Sequence, residues 1–267
     1  MDDIVVVRGA GDLATGIAHR LHRCGFRLLM TEVKEPLVVR RKVAFANAVM
    51  EGAMELEGVK AVKAIDYESI LEIWEDNSIP VLCDEECRII EKIKPMAVVD
   101  AIMAKRNIGT ARGMAPITLG IGPGFEAGID VDAVVETNRG HNLGKVIYQG
   151  SAEADTGIPG SIAGFSKERL LRAPANGRIR NILDIGHMVK QGDVVALVDD
   201  VPVKASVPGV IRGLICNNNQ VLEGMKIGDV DPRGIREFCY TISDKARSVA
   251  GGVLEALLYL RREKLGK

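Results

Sequence analysis

The stretch that decides the fold is VVVRGAGDLATG, residues 5–16. In it an apolar strand runs into a glycine turn, and a helix follows. Gly9 permits the tight turn, and Gly11 has no Cβ, so that a phosphate can approach the main chain. Free N–H groups at the start of the helix attract the anion. The stretch therefore predicts a nucleotide-binding strand–helix unit to which Gly9, Gly11, Asp12 and Thr15 contribute.

A carboxylate follows this unit at the spacing of a dinucleotide site. A second predicted strand ends at Glu32, and Glu32 comes roughly 20 residues after Gly11, where an acid typically binds the ribose. Lys34 leaves the choice between NAD and NADP open. The alternative is a tight strand-to-helix turn that binds no ligand, because a fold does not fix a function.

Composition excludes several classes of protein. Lys and Arg number 35 against 36 Asp and Glu, so no overall field favours nucleic acid or an anionic membrane surface. Aromatic residues make up only 4 %, which argues against base-stacking platforms. No apolar run approaches the roughly 18 residues that span a bilayer, and the N-terminus begins as a core strand and not as a signal peptide. We expect a cytoplasmic protein that binds neither nucleic acid nor membrane.

The five cysteines do not form a disulfide framework in a chain of 267 residues. Cys83 and Cys87 would face one another across a helical turn if Asp84 begins a helix. Two cysteines make at most half of a metal site, so we assign no metal ligands and leave the role of this pair open.

The chain divides into four predicted parts. Residues 1–110 alternate apolar strands with amphipathic helices, as in a Rossmann-like doubly wound parallel sheet of an α/β protein. Residues 111–171 form a glycine-rich ligand-binding segment with short strands. A small all-β domain over residues 172–231 and a C-terminal helical segment over residues 232–267 complete the chain.

Three of the helices carry clear signals. They are expected over residues 37–50, over residues 67–75 with Asp66 as N-cap, and over residues 243–264 with Ser243 as N-cap. The pair Gly251-Gly252 weakens the last helix and would mark a close crossing against a neighbour.

The small all-β domain contains an internal repeat. The stretch APANGRIR at residues 173–180 matches ASVPGVIR at residues 205–212. Two copies of a short-strand unit, neither able to bury its face alone, predict a pseudo-twofold β-sandwich or barrel, which resembles the biotinyl/lipoyl-carrier fold. The hairpin tip at residues 198–202 reads VDDVP and lacks the carrier's Met-Lys-Met, so we expect a structural or docking module.

Two further groups of residues suit an anion. Asp100 and Lys105 follow a predicted buried strand, at the edge where open α/β sheets bind ligands, and a solvated charged loop explains them equally well. Gly122 and Gly124 lie in GIGPGF, where successive N–H groups can converge on a phosphate or carboxylate. For these glycines the alternative is a turn that binds no ligand.

The last polar group is ETNRGHNLG, residues 136–144. Arg139 can bind a phosphate or carboxylate in a fork, and His141 can act as an acid or a base, which makes it the candidate catalytic residue. A simple hydrogen-bonding role for His141 is the alternative. Glu136 and Asp130 could join His141 around a metal, but nothing in the spacing demands one.

Taken together, these motifs resemble the YqeB family over essentially the whole chain. The resemblance rests on VRGAGDLATG (7–16), VDAIMAK (99–105), GPGF (122–125), ETNRGH (136–141) and DVDPR (229–233). It implies an accessory protein, similar to the XdhC-type proteins, in the maturation of selenium-dependent molybdenum hydroxylases.

The resemblance also implies ligands and partners. Such a factor would hold a molybdopterin-type cofactor or a nucleotide-bearing precursor, and it would meet a molybdenum hydroxylase apoenzyme or cofactor-biosynthesis proteins. Whether it assembles as a homo-oligomer is left open. The second hypothesis is an NAD(P)-dependent oxidoreductase, with Glu32 on the ribose and His141 as the acid or base. A third is that the repeat domain is mainly an interaction surface. Whether the protein catalyses a reaction is left open.

Overall fold

The computed structural model describes residues 3–266 and divides the chain into two compact units. Unit 1 comprises the chain up to Pro36, Ala44–Thr156, and the chain from Ile242 onward. Unit 2 comprises Leu37–Val43 and Gly157–Thr241. Most of the predicted segment 111–171 and the C-terminal helix thus lie in unit 1, together with the N-terminal sheet.

Unit 1 is built from strands and helices that alternate along its first hundred residues. The strands are β1 (Ile4–Arg8), β2 (Arg27–Glu32), β3 (Ala53–Leu56), β4 (Val59–Ala64), β5 (Ile79–Cys83), β6 (Ala97–Asp100), β7 (Ile117–Ile121), β8 (Glu126–Ala127), β9 (Ala133–Val135), β10 (Val146–Ile147) and β11 (Gly150–Ser151). The helices are α1 (Asp12–Arg23), α2 (Asn47–Glu51), α3 (Tyr67–Glu75), α4 (Ile90–Ile93) and α5 (Asp244–Leu265).

Nine of these strands form one mixed sheet in the order β10-β9-β7-β6-β1-β2-β5-β4-β3. The inner strands are parallel, and β10 and β3 pair antiparallel at the two edges. Ile4 and Val6 of β1 pack in one core cluster with Ile70 of α3 and Ile93 of α4. Because side chains alternate along a strand, Val5 and Val7 face the opposite side.

Helix α5 runs from the carboxyl edge of the parallel strands to their amino edge. At its start the Ser243 hydroxyl accepts a hydrogen bond from Ala246 N at 3.2 Å, as predicted for the N-cap. Near its end Lys264 Nζ donates to the carbonyl of Pro116, just before β7, at 2.6 Å. Helix α1 follows β1 and therefore also begins at the carboxyl edge. The two helices are in close contact, because a Cβ on Gly16 would stand 2.8 Å from the Cβ of Ala246.

Unit 2 contains two separate four-stranded antiparallel sheets, in the orders β12-β19-β17-β14 and β16-β15-β13-β18. Their strands are β12 (Leu170–Arg172), β13 (Gly177–Asn181), β14 (Met188–Val189), β15 (Val194–Val198), β16 (Val201–Lys204), β17 (Gly209–Leu214), β18 (Gln220–Val221) and β19 (Lys226–Asp231). The repeat is visible in the pairing: β14 pairs with β17, and the equivalent strand β18 pairs with β13. Each copy thus supplies a short strand to the sheet of the other.

The predicted fold class, a Rossmann-like doubly wound parallel sheet plus a biotinyl/lipoyl-like domain and a C-terminal helix, is wrong. The sheet is mixed and not all-parallel: β10 pairs antiparallel with β9 at one edge, and the antiparallel pair of β3 and β4 extends the other edge beyond β5. Unit 2 consists of two separate antiparallel sheets, and α5 packs within unit 1. The local strand–turn–helix signal was correctly located, but it does not determine which strands become neighbours.

The helix predicted over residues 37–50 is also wrong. That stretch contains a short 3₁₀ helix, Arg41–Val43, and the five-residue helix α2. Leu37–Val43 joins unit 2, where Leu214 N donates a hydrogen bond to Val39 O at 2.8 Å. The chain therefore leaves unit 1 here and returns, which no local apolar spacing reveals.

Candidate functional site

The residues singled out from the sequence gather at the carboxyl edge of the nine-stranded sheet. Arg8 at the end of β1 lies in register with Thr31 of β2 and with Asp100 of β6. Asp100 is in register with Gly120 of β7. The next strand in the sheet is β9, and Glu136 comes directly after it in the chain. All these strands are parallel, so their carboxyl ends meet at one edge, where α/β sheets bind ligands.

Glu32 closes the glycine turn and holds it to β2. One carboxylate oxygen accepts a hydrogen bond from Ala10 N at 2.8 Å, and the other accepts from Val33 N at 2.8 Å. Gly9 N donates to the carbonyl of Thr31 at 2.7 Å. Both oxygens expected to bind a ribose are therefore engaged with the main chain.

The two glycines of the turn stand in different surroundings. Gly9 has a φ of +90°, and a Cβ there would stand 3.0 Å from the Cα of Ile102. Gly11 is the N-cap of α1, with an ordinary φ of −64°, and apart from its chain neighbours no described residue has an atom within 4 Å of the place its Cβ would take. Open space thus adjoins the main chain at Gly11, as the prediction of a close ligand approach requires.

Thr15 is buried, whereas Asp12 is only half-buried. The buried Thr15 hydroxyl donates to the Ala10 carbonyl at 3.2 Å and accepts from Phe45 N at 2.8 Å, so it joins the turn to the following loop. Asp12, the first residue of α1, carries a negative charge that acts to raise the pKa of Lys245. Thr15 therefore holds the turn from inside, whereas Asp12 directly follows Gly11 and is not buried.

Asp100 belongs to a buried polar network. Its carboxylate accepts from the Thr110 hydroxyl at 2.5 Å and from Arg8 Nη1 at 3.3 Å, and the other oxygen accepts from Ile102 N at 3.1 Å. Arg8 and Asp100 are only 3 % and 2 % exposed. Arg8 also donates to the Thr110 hydroxyl. These three side chains hydrogen-bond one another beneath the edge, although the buried Nε of Arg8 has no partner among the described residues, so Asp100 supports the edge from inside.

Cys87 lies in the same region and does not form a helical pair with Cys83. No helix begins at Asp84, and Cys87 is buried while Cys83 is exposed. Burial raises the pKa of the Cys87 thiol to about 11, although the Arg8 guanidinium and a hydrogen bond with Thr31 act in the opposite direction. Such a thiol is a poor nucleophile near neutral pH.

Above the network, charged side chains surround the starts of α1 and α5. Lys105 Nζ lies 2.6 Å from Asp155 Oδ2, and Arg139 forms a two-bond pair with Asp244 at 2.7 and 3.0 Å. Lys245, on the first turn of α5, is half-buried. Burial lowers its pKa, and the nearby charges of Asp12, Arg139, Glu136 and Asp155 act on it in both directions.

Sequence reasoning missed Lys245, although a signal was present. A lysine in the first turn of a helix stands at the positive end of the helix dipole, where it is unfavourable. Because Lys245 comes directly after the Ser243 N-cap and Asp244, the sequence alone indicates this unfavourable interaction with the helix dipole.

Glu136 holds the loop that carries Arg139. Its buried carboxylate accepts main-chain hydrogen bonds from Thr137 at 2.6 Å, Asn138 at 2.6 Å and Glu153 at 2.7 Å. His141, the candidate catalytic residue, is exposed, and no described residue hydrogen-bonds its ring. The structure therefore brings Arg139 to the edge but does not place His141 with it.

Gly122 and Gly124 pack against protein atoms. A Cβ on Gly122 would stand 2.6 Å from the Thr137 hydroxyl oxygen, and one on Gly124 would stand 2.7 Å from the main chain of Arg106. Both have a positive φ that suits glycine. The space above this turn is occupied by the chain itself, which agrees with the turn-only alternative.

Across residues 3–266, no group of three or more His, Cys, Asp or Glu side chains is arranged to hold a metal ion. No described helix combines the length and the apolar character that crossing a membrane would require.

Comparison with known proteins gives one relative over nearly the whole chain. The chain is 48 % identical over 260 residues to "Uncharacterized protein YqeB" of Escherichia coli (strain K12), which covers 97 % of this chain and 48 % of that protein. The chain thus spans about half the length of the curated relative that it matches. This similarity supports the resemblance to the YqeB family. No protein-family profile matches the chain.

Solved structures give weaker likenesses. An aspartoacylase family protein from Mesorhizobium loti matches with 12 % identity and a TM-score of 0.29, over 86 % of this chain and 85 % of that one. A succinylglutamate desuccinylase from Silicibacter sp. TM1040 matches with 11 % identity and a TM-score of 0.26, over 86 % and 84 %. Likenesses at these TM-scores carry no argument about the activity of this chain.

The predicted functions are corrected here. None of the proteins that the comparisons name is a molybdenum hydroxylase maturation factor or an NAD(P)-dependent oxidoreductase by name. The curated relative is named without an activity. Within the chain, both oxygens of Glu32 bind main-chain amides, so the residue that favoured an oxidoreductase holds the turn together. Neither function is carried further.

Proposed function

We propose that unit 1 binds a small anionic molecule, one that carries a phosphate or carboxylate group, at the carboxyl edge of its sheet. The observation that carries the proposal is the open space at Gly11. Of the glycines singled out from the sequence, Gly9, Gly122 and Gly124 are packed against the chain, whereas Gly11 adjoins space that the described residues leave open. Gly11 is also the N-cap of α1, so its neighbouring amides point toward that space.

Helix geometry supports an anion in this position. The N-cap of α1 is Gly11, which has no side chain that could accept a hydrogen bond from the amides of the first turn. Helix α5 begins at the same edge and contacts α1 through Gly16 and Ala246. The positive ends of two helix dipoles therefore act together on one region.

The side chains offer cations that a ligand can recruit. Lys105 and Arg139 are more than a third exposed and paired with the carboxylates of Asp155 and Asp244. Exposed ion pairs are worth little, so an anion can replace the carboxylate partner at small cost. Lys245, on the first turn of α5, adds a half-buried cation whose pKa responds to the charges of Asp12 and Arg139.

The identity of the ligand, the partners, the oligomeric state and the location in the cell remain predictions. A molybdopterin-type cofactor and NAD(P) both carry phosphate, and the binding of either here is untested. The same holds for a molybdenum hydroxylase apoenzyme or cofactor-biosynthesis proteins as partners, for a homo-oligomer and for a cytoplasmic location. We assign no reaction to the site.

Calorimetric titration with inorganic pyrophosphate tests the proposal. The key variant is Gly11→Ala, because φ at Gly11 suits alanine and the added methyl enters open space, so it should block the ligand without straining the fold. We expect pyrophosphate affinity to fall about tenfold, equivalent to ~1.4 kcal/mol.

The matched control is Gly251→Ala. Gly251 lies on α5, and among the described residues outside its own helical segment only Arg20 Nη1, at 4.0 Å, comes near its Cβ position. This variant should bind pyrophosphate as the parent does. Flat titrations of the parent protein with pyrophosphate, phosphate and NAD would overturn the proposal, as would equal affinity in the parent and Gly11→Ala.

A further inference from the structure

A second concave surface lies in unit 1 at the amino edge of the sheet, opposite to the candidate site. It is a cavity of about 710 Å³ between the end of α4, the loop before β7 and the end of α5. Its apolar wall includes Ile90 and Met114, which pack against the core cluster beneath β1. Cavities of this size accommodate small molecules.

Three cations line the same cavity, with one carboxylate among them. They are Lys94, Arg112 and Lys264, and the carboxylate is Asp132. Counting these four side chains alone, the lining has an excess of two positive charges. The cavity therefore combines an apolar wall with a positive rim.

Asp132 fixes two of the three cations. Its carboxylate, only 5 % exposed, accepts from Arg112 Nε at 3.1 Å and pairs with Lys264 Nζ at 2.9 Å. Thr118 N donates to the same carboxylate at 2.9 Å, which ties it to β7. Because this buried carboxylate already orders the side chains of Arg112 and Lys264, a ligand that binds them has a smaller entropic cost to overcome.

The fixed cations retain donors. Arg112 uses Nε on Asp132 and Nη1 on the Gly128 carbonyl at 2.7 Å, and none of the described contacts uses Nη2. Lys264 uses two of its three protons, on Asp132 and on the Pro116 carbonyl. Lys94, which ends α4 with a φ of +49°, has no described ion pair.

From this arrangement we propose that the cavity binds an amphiphilic anion, a molecule with one carboxylate or similar group joined to an apolar body. The anionic group meets Lys94, Lys264 and Arg112 Nη2, and the apolar body lies along Ile90 and Met114. The site is separate from the carboxyl-edge site and does not depend on it.

Isothermal titration with three probes tests the inference. Octanoate carries both features, octan-1-ol carries the apolar body without the charge, and acetate carries the charge without the body. We expect octanoate to bind one site per chain, at least about tenfold more tightly than either of the other two, since charge and apolar burial act together.

Variants assign the binding to this cavity. Lys94→Gln and Lys264→Gln should each weaken octanoate binding about fivefold, because each removes a partly exposed cation. Lys92→Gln is the matched control, since Lys92 lies on α4 but contacts Glu68 and the Tyr67 ring instead of the cavity. Gly11→Ala should also leave octanoate affinity unchanged. Far-ultraviolet circular dichroism and thermal unfolding check that the variants fold.

Three results would overturn the inference. Octan-1-ol that binds as tightly as octanoate would show an apolar cavity only, and acetate that does so would show a surface charge effect only. If the parent does not bind octanoate, or if both Lys94→Gln and Lys264→Gln bind it as tightly as the parent does, this cavity is not a site for an amphiphilic anion.

Discussion

The carboxylate of Glu32 accepts a hydrogen bond from the main-chain N–H of Ala10 at 2.8 Å, and its second oxygen accepts from Val33 N. The end of β2 is thereby fastened to the turn between β1 and α1. An acid in the position of a ribose ligand thus shapes the turn that precedes the open space at Gly11.

Replacing this acid should affect stability. In Glu32→Gln one oxygen becomes an NH₂ group that faces a main-chain donor, so we expect the free energy of unfolding to fall by about 1–2 kcal/mol. Urea denaturation measures it, and Glu35→Gln, at an exposed position nearby, serves as the control. A variant that is as stable as the parent but binds NAD less well would instead favour the ribose role.

The buried pair of Arg8 and Asp100 should be far more sensitive than exposed pairs. Asp100→Asn leaves the Arg8 guanidinium buried without a counter-charge, which typically costs about 3–5 kcal/mol. Asp76→Asn, which removes the exposed partner of Lys60, should change stability by less than about 1 kcal/mol. Equal effects of the two substitutions in denaturant melts would contradict the network described beneath the edge.

Two adjacent glycines of α5 should respond with opposite signs. A Cβ on Gly252 would overlap the carbonyl oxygen of Gly144, so Gly252→Ala should destabilise the protein. Gly251 adjoins open space in the middle of the helix, so Gly251→Ala should stabilise it by about 0.5–1 kcal/mol. Thermal unfolding of both variants is the measurement, and a shift of the same sign in both would contradict the close packing at Gly252.

Lys245 should give the protein a distinctive dependence on pH. Burial lowers its pKa in the folded state, so the unfolded chain holds the proton more tightly. Between the lowered value and the ordinary value of 10.5, stability should therefore rise with pH, and at lower pH the penalty is fully present.

Lys245→Met should remove that rise, while Lys204→Met, at an exposed position in unit 2, should keep it. Urea melts at several pH values measure the slope. Pyrophosphate affinity of the parent should fall over the same range, because the ammonium loses its charge. Identical slopes in the parent and Lys245→Met would rule out this account.

Thiol reactivity should follow burial. Iodoacetamide at pH 8 should modify the exposed Cys24 and Cys83 first, and the buried Cys87 and Cys239 only in denaturant, because burial raises the pKa of both buried thiols. Peptide mass spectrometry locates the modified residues. Early modification of Cys87 in the native protein would contradict its burial.

Short-range signals in the sequence determined several elements correctly. Helix α3 begins after Asp66, whose carboxylate accepts from Ser69 N at 2.8 Å, and α5 begins after Ser243. The repeat placed β13 and β17 at equivalent positions. Such features depend on residues close in the chain, and the sequence displays them directly.

Only the tertiary structure decided the strand order, the departure of Leu37–Val43 into unit 2 and the surroundings of each glycine. Gly16 belongs to the glycine motif in sequence, yet it permits a close contact with Ala246, far along the chain, and the close crossing predicted at Gly251-Gly252 has Gly144 as a partner that the sequence did not reveal. Lys245 meets Asp12 for the same reason. Pairings between distant residues are set by how the whole sheet and its helices pack, and one segment does not encode its neighbours.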